Sequence, residues 1–259
     1  MMKHIKKSFP PGKLKDWFNN LDRDENGYLL NCRYKNLPSD VHKELHQILL
    51  EEQGFLCCYT GLRINYKNSH IEHIKPQSIS KKDPHDHDDV NYYNMLAAYP
   101  KPPNIPKRET KTKKCPFGAT FREDKELSVS PLCSDCQRKF IFDIDGGIES
   151  ANRDTKNKED REDEASKTIR ALNLDHPSLV EMRKAAIDEF LYSEDCVISR
   201  FKMERLINQQ GICQKDLKGR YPKFCFVIEQ VAPLMLERAE REQKRKKEKI
   251  KGIKSRENE

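Results

Sequence analysis

Apolar residues recur at i, i+4, i+7 and i+8 over Val41, Leu45, Ile48 and Leu49. That is the period of one face of an α-helix. Ser39 stands where a cap is expected and Gly54 where a helix stops. The pattern predicts an amphipathic helix of about four turns between them. Residues 1–37, with Pro10-Pro11 and a short Trp17-Phe18 patch, lack such a period and are expected to be irregular. Residues 68–75 (NSHIEHIK) alternate as a strand does, and Pro76 ends the run. Asn91 to Ala98 form a second short ordered piece, and a Pro-rich loop follows. Phe140, Ile141, Phe142 and Ile144 read as a strand turned by Asp145-Gly146-Gly147.

Residues 150–165 are charged and aperiodic, as a linker is. Beyond them the chain reads as helix. Pro177 opens one segment, with Leu179, Met182, Ala186 and Phe190 along its apolar face. Residues 224–238 are strongly apolar, with a kink expected at Pro233, and run into a charged tail. The expected class is α+β, with one domain over 1–150, a linker over 151–165, and a helical domain with a basic tail over 166–259.

The chain has 259 residues and a mean hydropathy of −0.92. No run approaches the ~20 apolar residues of a membrane span, so no membrane partner is expected. The basic N-terminus lacks an apolar core behind it, which argues against a secretory signal and for a cytoplasmic protein. Nine cysteines are an odd set for a closed disulfide framework. Reduced cysteines serve as small buried hydrophobes or as zinc ligands. The formal charge is +7, and residues 100–114 alone carry six Lys/Arg against one Glu. Such stretches favour a polyanionic partner.

Two clusters resemble metal sites and are set aside. Asp22-Arg23-Asp24-Glu25-Asn26-Gly27 begins like a calcium loop, but Arg33 stands where a bidentate acid is needed. His85-Asp86-His87-Asp88-Asp89 lies in a run of charge and turn formers and reads as a solvated loop.

The informative string is His70-Ile71-Glu72-His73-Ile74-Lys75-Pro76. On a strand, His70 and Glu72 share one face while Ile71 and His73 share the other. The histidines are three apart, not the four that a helical zinc site needs. Glu72 offers a hard oxygen ligand beside an imidazole. A magnesium-type ion prefers oxygen ligands, and an imidazole near its ordinary pKa can take a proton from water. Phosphodiester hydrolysis uses both parts. His73 is expected to be accessible at the surface.

These residues also carry a family resemblance. Gly54-Phe55-Leu56-Cys57-Cys58-Tyr59-Thr60-Gly61 precedes the His70–Pro76 string, and Asn94-Met95-Leu96 follows it. The arrangement resembles HNH endonucleases, and among them the nuclease subunit (PtuB) of Septu-type anti-phage systems, retron-associated forms included. Cys115-Pro116-Phe117-Gly118-Ala119, Ser130 to Cys136, Phe140 to Gly146, Leu172 to Pro177 and Phe224-Cys225-Phe226 extend the likeness over nearly the whole chain. The resemblance implies a ββα-metal nuclease domain, with a Mg²⁺-type ion held by Glu72 and His73 as general base. Asn94 would fix the metal loop, and His70 would be a further ligand or a phosphate contact. The second protein ligand is unassigned, because no His lies between Cys115 and His176. A structural zinc would use Cys133 and Cys136 as one pair, with Cys57 and either Cys58 or Cys115 as the other. Lys107, Arg108, Lys111, Lys113 and Lys114 would contact phosphates. The implied partners are nucleic acid, a PtuA-type ATPase subunit and, in retron-associated forms, a reverse transcriptase with its RNA/DNA product. A non-catalytic zinc-bearing module that binds nucleic acid or docks on the ATPase is the alternative.

Overall fold

The structure, a computed structural model, describes residues 2–83, 85–101, 115–152, 163–191 and 211–256. The predicted helix is α2 (Ser39–Glu52), preceded by α1 (Gly12–Asn19). Val41, Leu45, Leu49 and Leu50 of α2 are buried, each contributing roughly 1.5–3 kcal/mol relative to exposure. Ser39 is the first helical residue rather than a side-chain cap; Pro38 precedes it and its carbonyl accepts the His42 N–H at 2.9 Å. Helix α1 corrects the irregular course expected over residues 1–37: its short span buries only Leu14 fully and gives too few repeats to show a period.

Gly54 ends α2 for two reasons. Its φ of +56° is left-handed, and a Cβ there would overlap the Tyr221 ring. The buried Gln53 amide then donates to the carbonyls of Leu56 and Ala97 and accepts from the Ala97 N–H. Helix α2 is thereby tied to β2 (Met95–Ala98). β2 pairs antiparallel with β1 (His70–His73) in the register His70↔Ala98, Glu72↔Leu96, His73↔Met95. The short helix α3 (Gln77–Ser80) leaves β1 through Pro76.

Beyond residue 115 come α4 (Ala119–Arg122) and the second hairpin, β3 (Phe140–Phe142) with β4 (Ile148–Ser150). Helices α5 (Glu164–Leu172), α6 (Pro177–Leu191) and α7 (Cys225–Arg256) follow. The described residues thus hold seven α-helices and two small antiparallel sheets. Asp163 caps α5 by accepting the N–H groups of Ala165 and Ser166. On α6, Leu179 and Ala186 are buried as expected, but Met182 is exposed and Arg183 is buried in its place. Arg183 donates to the carbonyls of Gly146 and Leu174, which offsets the cost of burying it. The linker expected over 151–165 falls mostly on residues 153–162, outside the described residues. No described helix is long and apolar enough to cross a membrane.

The late segment packs on the early one. Tyr221 and Phe224 donate backbone N–H groups to Gly54 and Gly61, and Gln230 of α7 bonds both Phe142 N–H and Phe140 C=O along β3. Gly61 has φ +74°, and an added Cβ would lie 2.7 Å from the Phe226 ring. Gly61→Ala is therefore expected to cost about 2–4 kcal/mol, from the left-handed backbone and the overlap together. An unchanged urea midpoint would show that the 54–61 turn is not held by the late segment.

Candidate active site at the first hairpin

Alternation along β1 sets the geometry. Ile71 and His73 are buried, and His70 and Glu72 are half-buried on the other face. His73 is 6% exposed, against the expectation of a surface imidazole. Its Nε2 lies 2.9 Å from the Asp89 carbonyl. A carbonyl only accepts, so Nε2 carries the proton and Nδ1 keeps its lone pair. Nδ1 accepts a hydrogen bond from Gln77 Nε2 at 3.2 Å. The Tyr34 ring meets the imidazole edge-on at 4.7 Å. Burial pushes the His73 pKa below its ordinary 6.5, although the bond to Asp89 opposes this. The imidazole is neutral at neutral pH, with one defined acceptor nitrogen.

Asn94 bonds backbone and not His73. Its Oδ1 accepts the Lys75 N–H at 2.7 Å, and its Nδ2 donates to the carbonyls of Lys75 and Asp88 at 3.1 and 2.8 Å. It pins the exit of β1 to the 88–91 loop, one residue before the Asp89 carbonyl that faces His73. The Asp89 carboxylate, buried, accepts the Tyr34 N–H and faces Arg33 at 3.5 Å. Asp86 and Asp88 bracket the Lys75 ammonium at 2.6 and 2.8 Å, so one cation at the exit of β1 offsets part of the loop's negative charge.

Glu72 is surrounded by donors. Oε1 accepts from Arg122 Nη1 at 2.7 Å and Tyr59 Oη at 3.2 Å, and Oε2 faces His70 Nε2 at 3.2 Å. Burial opposes its charge, yet the His70 hydrogen bond and the Arg122 charge together hold its pKa below the ordinary 4.5. His70 Nδ1 lies 2.7 Å from the Pro100 carbonyl. Both ring nitrogens thus face acceptors, the environment of an imidazolium. Burial opposes that charge, but the Glu72 hydrogen bond and charge raise the His70 pKa above 6.5.

Arg122, unremarked in the sequence, joins the two faces. It is 1% exposed and donates to Glu72, Tyr59 Oη and the carbonyls of His73, Ile74 and Lys125. One signal for it existed: a half-buried strand carboxylate needs a counter-charge. No spacing rule could say which cation, 50 residues away, supplies it. Gln77 carries no local signal either, and Asp89, expected in a solvated loop, is buried because its carboxylate is held by the Tyr34 N–H and Arg33.

The donor set does not fit a divalent ion as arranged. Both Glu72 oxygens are committed, and among the described residues no three His, Cys, Asp or Glu side chains converge as metal ligands. Nor does the structure gather the five cysteines expected to hold zinc. Cys133 is exposed, whereas Cys136 is buried with its Sγ donating to the carbonyls of Met2 and Pro131. Cys57 and Cys58 are buried side by side, and Cys115 is half-buried. Burial opposes ionisation of Cys57, but hydrogen bonds from Cys58, Thr60 and the Tyr99 N–H bring its pKa down to about 6. Lys107, Arg108, Lys111, Lys113 and Lys114 lie outside the described residues.

No protein-family profile matches the chain. Over 160 residues it is 26% identical to a presumptive HNH endonuclease of retron Vc95 from Vibrio cholerae serotype O1 biovar El Tor, covering 61% of this chain and 69% of that protein. The two are distant homologues, and the likeness reaches the HNH nuclease class and no further.

Breaking a buried ion pair from one side costs about 3–5 kcal/mol, because the remaining charge is left uncompensated. Arg122→Gln is expected to lose that much stability, and adding Glu72→Gln should restore part of it. A double variant as unstable as the sum of the singles would show no coupling. The His70–Glu72 contact has its own pH signature. A raised histidine pKa contributes stability that is complete below 6.5 and fades as pH rises through the folded value. The lowered Glu72 pKa contributes above 4.5 and fades as pH falls. His70→Asn is therefore expected to destabilise most between pH 4.5 and 6.5, and least at pH 9. A pH-independent loss in urea titrations would contradict the imidazolium.

Proposed function

We propose that the chain is an endonuclease that hydrolyses phosphodiester bonds of nucleic acid, with His73 as general base. The observation that carries this is the tautomer of His73. The Asp89 carbonyl holds Nε2–H, Asn94 bonds the neighbouring Asp88 carbonyl, and Nδ1 is left as the proton acceptor. The Gln77 amide on Nδ1 occupies the donor position that an attacking water would take. Water replacing that amide would give a proton to Nδ1 as its oxygen bonds phosphorus, while the P–O bond to the leaving sugar oxygen breaks and that oxygen takes a proton from solvent. The distant relationship to a presumptive HNH endonuclease points the same way.

The HNH nuclease class implies a divalent ion, which stabilises charge on the phosphoryl oxygens when bound. Glu72 is the residue the resemblance assigns to it. In the arrangement described, Glu72 is instead the counter-ion of Arg122 and His70, and no step is routed through a metal here. The domain division at 150/166 remains part of the proposal; a zinc does not, since the described cysteines do not converge. Assembly with a PtuA-type ATPase in a defence system also belongs to the proposal, its retron association being carried over from the relative. One observation favours a second reading: the saturation of Glu72 suits a non-catalytic module that binds nucleic acid.

The test is cleavage of labelled duplex DNA, single-stranded DNA and RNA by the full chain, with Mg²⁺ or EDTA. His73→Gln keeps polar contacts that His73→Ala would strip from a buried site. It is expected to lower the rate ~10²–10⁴-fold. Because burial lowers the His73 pKa, less than half of the base is protonated at pH 6.5, and parental activity should fall less on lowering the pH to 6.5 than an ordinary imidazole would allow. Parental-rate cleavage by His73→Gln would remove His73 from the chemistry. Binding without cleavage under any metal condition would favour the second reading.

A further inference from the structure

We propose that the distal part of α7 is an arm that binds the nucleic-acid backbone, separate from the candidate active site. The inference rests on nucleic acid as partner but not on its cleavage.

Helix α7 changes character along its length. Val227, Ile228, Val231 and Met235 are buried in the core, and Gln230 clamps β3. Past Leu236, Glu237, Arg241, Lys244, Arg245 and Glu248 are all exposed. The charged segment is thus the continuation of a core helix, and its root is fixed. From Glu237 to Arg256 the rise is about 30 Å, close to one turn of duplex.

The sequence explains why this segment stays helical without a core. Glu237 pairs with Arg241 at 3.3 Å. Glu240 before Lys244 and Glu242 before Lys246 repeat the same i, i+4 order, which supports an exposed helix. Residues 237–256 nevertheless carry ten Lys/Arg against four Glu, a net +6 within a chain of +7. With +5 over residues 100–114, the rest of the chain is left at −4. A polyanion is repelled by that remainder and drawn to the two basic segments.

The chemistry favours nucleic acid over a protein surface. A helix that docks in a protein groove presents apolar anchors at i, i+3 or i+4 and i+7. Residues 237–256 offer only Ala239, Ile250 and Ile253 as apolar side chains. Their cations are mostly lysines, point charges suited to phosphates and without base preference.

The experiment measures fluorescence anisotropy of duplex DNA and single-stranded RNA with the full chain carrying His73→Gln, from about 50 to 200 mM salt. Lys244→Gln, Arg245→Gln, Lys246→Gln and Lys247→Gln are then added together. Affinity is expected to fall at least ~10-fold, with a salt slope shallower by ~2–4. A companion variant with Lys244→Arg, Arg245→Lys, Lys246→Arg and Lys247→Arg should bind as the parent does. Parental affinity and slope in the neutralised variant would overturn the arm and leave an acidic protein surface as its partner. Equal loss in the charge-preserving variant would overturn it too, since helix geometry rather than charge would then matter. If the chain with His73 intact binds but never cleaves with Mg²⁺ present, and neutralisation weakens binding, the nuclease reading fails and the arm stands.

Discussion

A single buried guanidinium organises the first hairpin. Arg122 meets Glu72 on one side of β1 and the carbonyls of His73 and Ile74 at its exit, so it holds side chain and backbone together. It can do so only because α4 is itself held. Gly118, just before α4, donates its N–H to the Leu172 carbonyl at the end of α5 at 2.7 Å. The candidate site therefore depends on a helix that follows it by about 50 residues. A small hairpin has little core of its own, and packing onto other elements supplies what it lacks.

The pattern of apolar positions revealed α2, strand β1, the β3 turn and the α6 start, because each shows a period or a punctuating residue; it marked 91–98 only as ordered, since all four residues of β2 are buried and show no alternation. It revealed the His70–His73 alternation for the same reason: strand geometry follows from spacing of two. What stayed hidden depends on tertiary contact. Arg122 looks like any basic residue in a short segment, and Arg183 looks like the polar side of α6 until Gly146 and Leu174 are seen to offer carbonyls. The burial of His73 was also hidden. It comes from the Tyr34 ring and the 88–91 loop closing over it, which no local pattern encodes.

The cysteines illustrate the opposite error, in which spacing suggests more than the fold assembles. Cys133 and Cys136 have ligand spacing, yet one faces solvent and the other is buried against backbone carbonyls. Cys57 lies in a turn already closed by backbone bonds, Cys57 N–H to Leu62 and Gly61 N–H to Cys57. In the described residues, hydrogen bonds and the packing of Phe224 and Phe226 shape that turn.

The four-residue length of β1 has a consequence for how this hairpin can vary. Side chains alternate with a period of two, so a slip of one residue exchanges the faces. Glu72 would then turn toward the Tyr34 side, and His73 toward Arg122. The pairing His73↔Met95 has only three neighbours in the ladder to resist such a slip. Asn94 supplies the missing restraint through three bonds at the last rung. A single residue gained between Asn94 and Met95 would separate those bonds from the ladder and shift Met95 to Ala98 against β1, so that each β2 side chain changes face.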